Sequence, residues 1–132
     1  MKIVHPEYPS VSRIQLNKGK GYRVWFDLAI LNPNFIKNSS YKTILAKNES
    51  NARLFGNNLL AAFEFKFFLK KRNTDISSVI EDCRKLSLCP EIVNRYVLAF
   101  SSYETDLSEL QDIDLGNTGL YWITPHKVDK FF

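Results

Sequence analysis

Residues 21–30, GYRVWFDLAI, alternate with a period of two. Tyr22, Val24, Phe26, Leu28 and Ile30 fall on one side, and Arg23, Trp25, Asp27 and Ala29 on the other. That period belongs to a β-strand, and a strand with one apolar face must pair with neighbours and bury that face against another layer. Upstream, VSRIQLNK (11–18) alternates in the same way, with Ile14 and Leu16 set against Arg13 and Gln15. Between the two runs lies a polar stretch with Gly19 and Gly21, which supplies the positive backbone angles of a hairpin loop. An antiparallel hairpin is therefore expected. LNPNFIKNSS (31–40) reads as a loop and YKTILA (41–46) as a short third strand.

From Asn48, a helix cap with Glu49 in the first turn, the apolar residues Ala52, Phe55, Leu59, Phe63 and Phe67 recur at helical spacing. The run ends in Lys70, Lys71 and Arg72. It predicts one long helix, weakened by Gly56, covering one face of the sheet. Beyond it, Asp75 can cap ISSVIEDCRKL, whose stripe is Ile76, Val79, Ile80, Cys83 and Leu86. Pro90 suits the first turn of a further helix with Ile92, Val93, Tyr96, Val97 and Phe100 on one side. Residues 116–119 read as a turn, and LYWIT as a strand or an extended lead into Thr124–Pro125. The expected fold class is α+β: a three-stranded antiparallel sheet backed by a long helix, followed by a small helical segment. Residues 1–72 would form a basic β-β-β-α unit and residues 73–132 an acidic, mainly helical segment packed on it as one compact domain.

Charge supports this division. Residues 1–72 carry thirteen Lys and Arg against four Asp and Glu, and residues 73–132 carry five against ten. A chain so polarised suits an acidic partner for its first half, unless the two halves neutralise each other by packing together. No apolar run reaches the length of a membrane helix, and the N-terminal residues lack the apolar stretch of a signal peptide, so the cytoplasm is the expected compartment. Cys83 and Cys89 are too few for a disulfide framework or, without His partners, a zinc site. Cys83 sits at an apolar helical position and is expected to be a buried thiol.

Sequence motifs for catalysis are missing. GKG at 19–21 lacks the spacing of a phosphate loop, there is no GxSxG, and His5 and His126 are isolated. The acidic run 106–114 lacks the ligand alternation and central glycine of a calcium loop. No enzyme, no metal site and no cofactor are expected. The outer face of the hairpin stands out instead. Arg13, Gln15, Arg23 and Trp25, with Lys18 and Lys20 at the hairpin tip and Lys42 from the third strand, would make a basic, partly aromatic sheet surface suited to phosphates and base edges. The other reading covers this face with the second half, which makes Trp25 core and Arg23 a snorkelling edge residue.

YRVWFDL followed by YKTILAKNESNARLFGNNLLAAFE resembles the N-terminal arm-type DNA-binding domain of phage and mobile-element tyrosine recombinases, with Tyr22, Trp25, Lys47, Asn48, Glu49 and Ala52 matching in kind. Further on, KLSLCPEIVNRYVLAF and YWITPHKVDKFF look faintly like core-binding segments of those enzymes. The resemblance implies a three-stranded sheet backed by one helix, with Arg13, Gln15, Arg23, Trp25 and Lys42 on DNA. The chain lacks that family's catalytic domain, so the resemblance implies a fragment or a stand-alone accessory protein. Two functions are carried forward. One is a non-catalytic DNA-binding protein or module of a mobile element, reading duplex DNA through an open sheet face. The other is a small protein-binding inhibitor, such as an immunity or anti-defence protein, docking on a partner protein through its acidic second half.

Overall fold

The computed structural model describes residues 4–14, 21–33, 58–71 and 74–132, apart from the side chains of residues 11–14, 22 and 23. Six strands, β1 (Val4–Ile14), β2 (Tyr22–Leu31), β3 (Leu59–Phe68), β4 (Ile92–Ser101), β5 (Thr118–Ile123) and β6 (Val128–Phe131), form one sheet in sequence order. Helix α1 (Ile76–Ser87) joins β3 to β4. The first three strands are an antiparallel meander, β3, β4 and β5 run parallel, and β6 turns back antiparallel.

This corrects the expected fold class. The hairpin of β1 and β2 forms, although β1 begins at Val4 rather than near residue 11. The long helix does not form where it can be seen, because residues 59–68 are a central strand. The helix expected after Pro90 is β4, so the second half is not mainly helical and one sheet runs through both halves. The expected third strand at 41–46 and the start of the long helix, Gly56 included, lie outside the described residues. The cause of the misreading is arithmetic. Leu59, Phe63 and Phe67, like Ile92, Tyr96 and Phe100, are spaced by four, and residues four apart share a face in a strand as well as in a helix. The deciding signal is the finer alternation of Phe63, Phe65 and Phe67 with Ala62, Glu64 and Lys66, in a stretch rich in aromatic residues that favour strands.

Helix α1 matches its signals. Asp75 adopts extended backbone and its carboxylate accepts the Ser78 N–H at 3.1 Å, while Arg84 and Lys85 lie in the last turn. Its stripe of Val79, Ile80, Cys83 and Leu86 joins a buried cluster with Ala62, Val97, Ala99, Leu120 and Trp122. Burial alternates along β4 and β5. Val97, Ala99, Leu120 and Trp122 are sealed under α1, whereas Tyr96, Leu98, Phe100, Tyr121 and Ile123 on the opposite face are half-buried. That second face is a ladder of rings, with Phe63 on Tyr96 and Phe67 on Phe100, each pair at 5.2 Å between centroids.

The crossing from β4 to β5 adds Leu110 and Leu115 to the cluster. It ends at Gly116, whose φ of 66° is left-handed and whose Cα faces Ser87 too closely for a side chain. Ser87 in turn donates to the Cys83 carbonyl at 2.8 Å and meets Thr118 Oγ1 at 3.0 Å, tying the end of α1 to the start of β5. At the sheet's first edge, β1 contains Pro6 and Pro9, with Glu7 between them at φ 49°. Proline is tolerated in a sheet at such an edge.

Asp75→Ala is expected to lower stability by about 1 kcal/mol, and Leu86→Ala, which empties a fully buried site, by roughly 2–5 kcal/mol. Thermal unfolding followed by circular dichroism checks both.

Candidate functional site

The antiparallel ladder between β2 and β3 pairs Ala29 with Ala62 and Leu28 with Phe63. One step further the register sets Asp27 opposite Glu64, and there the regular ladder stops. The Asp27 carboxylate takes the place of a backbone acceptor and receives the Phe65 N–H at 2.7 Å. Glu64 lies within hydrogen-bonding reach of Asp27. Opposed residues in a sheet share a face, so Asp27 of β2 and Ala62, Glu64 and Lys66 of β3 all face the side on which α1 lies. The helix rests mainly on β4 and β5 and reaches β3 only marginally; on the same face of β2, Ala29 is buried while Asp27 and Trp25 are exposed. The site is thus a step, with α1 as its wall and β2 as its floor.

From the wall, Asp82 enters the step. It is only 3% exposed and pairs with two cations: Lys66 Nζ lies 3.1 Å from Oδ2, and Lys85 Nζ lies 3.0 Å from Oδ1. Three carboxyl groups and two ammonium groups therefore converge from β2, β3 and α1. Glu64 is also buried, 9% exposed. Burial, then the Asp27 charge and hydrogen bond, then the Asp82 charge push its pKa up from 4.5 to about 8, against a smaller opposing effect of Lys85. Near neutral pH Glu64 is therefore protonated and donates to Asp27. Burial works against the Lys85 ammonium, but the hydrogen bond and charge of Asp82, with help from Glu81 and Glu64, outweigh it and leave its pKa raised.

This set was missed because its members are far apart in sequence and because Glu64 and Lys66 pass as the polar face of a helix. A signal was present. Once residues 59–68 are taken as a central strand, a Glu and a Lys at alternate positions among Phe and Ala are costly to bury, and such exceptions mark sites.

Of the residues singled out on the hairpin, Trp25 is described fully and is 62% exposed, so it is not core. It lies two positions from Asp27 on β2, on the exposed stretch of the floor of the step. Arg13 and Arg23 are cross-strand partners in the register of β1 and β2, their side chains lying outside the described set. Gln15, Lys18, Lys20 and Lys42 lie outside the described residues. Cys83 and Cys89 are buried free thiols, and burial raises the Cys83 pKa to about 12. Among the described residues, no three His, Cys, Asp or Glu side chains form a ready cation cage, and no helix is long and apolar enough to cross a membrane.

A raised carboxyl pKa is a stability statement. Below pH 4.5 Glu64 is protonated folded or unfolded and contributes nothing. Between about 5 and 8 the unfolded chain releases that proton while the folded chain keeps it, so stability falls as pH rises, by up to about 1.4 kcal/mol per pH unit. Glu64→Gln keeps a donor for Asp27 and cannot ionise. The variant is expected to match wild type near pH 4 and to exceed it at pH 8 by on the order of 2–4 kcal/mol. Urea unfolding at the two pH values measures this.

Comparison with protein-family models, curated proteins and solved structures returns no match for this chain.

Proposed function

We propose that the protein hydrolyses phosphodiester bonds of nucleic acid with the aid of a divalent cation, binding its substrate along the exposed stretch of β2 at Trp25 and Asp27. The observation that carries this reading is the Asp27–Glu64 carboxyl pair beside Lys66, at the point where β2 and β3 part. Two carboxylates with a phosphate oxygen and water suit Mg²⁺, which is seldom held by an all-protein cage. A cation bound there supplies Lewis-acid polarisation of the phosphoryl oxygen and a water of lowered pKa.

The chain's own groups have separate tasks. Glu64 would release its proton to solvent on serving as the second carboxylate ligand, so cation affinity is expected to rise with pH towards about 8. Asp27 is already anchored by the Phe65 N–H. Lys66, one-third exposed, presents part of its ammonium to the step, where it favours the negative charge that develops on phosphate. The basic first half attracts the polyanion, and Trp25 stands beside the carboxyl pair on the floor. The two buried thiols suit a reducing compartment, and the cytoplasm is the compartment this reading assigns. It departs from the expectation of a non-catalytic DNA-binding module in adding chemistry to the same face.

The test is cleavage of supercoiled plasmid, of single-stranded DNA and of RNA in Mg²⁺ or Mn²⁺. Cation-dependent cleavage is expected, falling by about 100-fold or more in Asp27→Asn, Glu64→Gln and Lys66→Ala, with nucleic-acid binding retained in Lys66→Ala. Failure to cut any of the three substrates, or undiminished activity in the Asp27 and Glu64 variants, overturns the reading. Stable capture of a partner protein by a chain that cuts nothing would favour the inhibitor instead.

A further inference from the structure

We infer that the site acts on a nucleotide whose base is unpaired, and that Trp25 is the platform on which that base stacks. The inference rests on the hydrolytic reading for the position of the phosphate but on Trp25 itself for the choice of substrate. Val24 and Phe26, the residues on either side of Trp25, are buried on the opposite face. The indole therefore stands on the same side as Asp27, two positions away, about 6.6 Å along the strand. That is the reach of a nucleoside from its own phosphate. A phosphodiester at Asp27, Glu64 and Lys66 thus brings an attached base to the indole.

The floor under the ring is suited to the task. The cross-strand partner of Trp25 is Pro9, which is buried, so the platform is bedded on a rigid apolar residue. An aromatic ring left 62% exposed in a sheet offers a π-face that any base can use, because stacking is indifferent to sequence. In a continuous duplex both faces of every base are already stacked on neighbours, and reaching Trp25 would require taking the base out of the helix at a cost of a few kcal/mol. Single strands, frayed ends and junction arms lack that cost. The structure therefore favours unpaired nucleotides over the duplex expected from sequence.

Trp25 also supplies its own readout. The chain has two tryptophans, and Trp122 is fully buried, so emission that responds to ligand reports Trp25. The probes are dT12 and the same strand annealed to dA12, titrated in Ca²⁺ so that binding is read without turnover. Quenching by dT12 is expected, with at least tenfold tighter binding than to the duplex. Trp25→Ala should weaken dT12 binding by about five- to 150-fold and abolish the preference, while Trp25→Phe, read by anisotropy of labelled oligonucleotide, should restore most of it. Equal affinity for the two probes, or a preference unchanged in Trp25→Ala, overturns the inference. The two readings fail separately. Duplex cleavage as fast as single-strand cleavage and indifferent to Trp25→Ala sinks the stacking platform and leaves the hydrolase standing. A Trp25-dependent preference for dT12 in a chain that cuts nothing sinks the hydrolase and leaves the platform.

Discussion

A carboxyl group buried in the middle of a central strand is the constraint on which the rest of this structure turns. Glu64 lies between Ala62, which is sealed in the core, and Lys66, which reaches the edge of the step. Desolvation makes its charged form expensive there, and the surroundings answer it in a consistent way. Asp27 accepts a hydrogen bond from protonated Glu64, the Asp27 carboxylate is itself tied to the Phe65 N–H, and Asp82 takes up the neighbouring Lys66 and Lys85. With Glu64 protonated the five groups sum to no net charge; with Glu64 ionised they carry one unbalanced negative charge. Such a cluster is stable as a neutral set and is one proton away from attracting a cation. Holding it in the fold costs stability that an all-apolar strand would not lose, a common bargain at sites that do chemistry.

The charge division of the chain takes on a definite shape in this light. Lys66 belongs to the basic first half and Asp82 to the acidic second half, and their 3.1 Å contact lies at the site itself. The two halves are joined along the whole β3–β4 ladder, and among the described residues Lys66 with Asp82 is an ion pair that crosses from one half to the other. Other ion pairs of the second half are internal to it, such as Lys127 with Glu104 and with Asp129. Those are exposed and contribute little. The neutralising contact that matters is the one that helps set the position of Lys66.

How far the sequence could be read depended on which periodicity was unambiguous. The period of two at 21–30 gave β2 and its hairpin, because every second residue from Tyr22 to Ile30 is apolar without a break. The cap and stripe of 75–86 gave α1, because Asp75 and the apolar residues at 76, 79, 80, 83 and 86 agree with one another. Residues 59–68 and 92–101 offered apolar positions spaced by four, which two kinds of backbone satisfy equally, and both were read as helix. The candidate site fell with β3. Asp27 and Glu64 are 37 positions apart, and only the pairing of β2 with β3 brings them together. Trp25 was noticed because an indole on the polar side of a strand is unusual, but its partners in the site were hidden until the sheet was known.

The first edge of the sheet carries a consequence for the molecule's behaviour in a crowded solution. An open row of backbone donors and acceptors invites another chain to add a strand. On β1, Pro6 and Pro9 have no N–H to offer, and Glu7 between them, at φ 49°, breaks the regular extended path. At the opposite edge β6 is only four residues long and carries Asp129 and Lys130. A sheet of six strands finished in this way resists extension at either side, so its long aromatic strands stay in the interior and its growth stops at the boundary of one molecule.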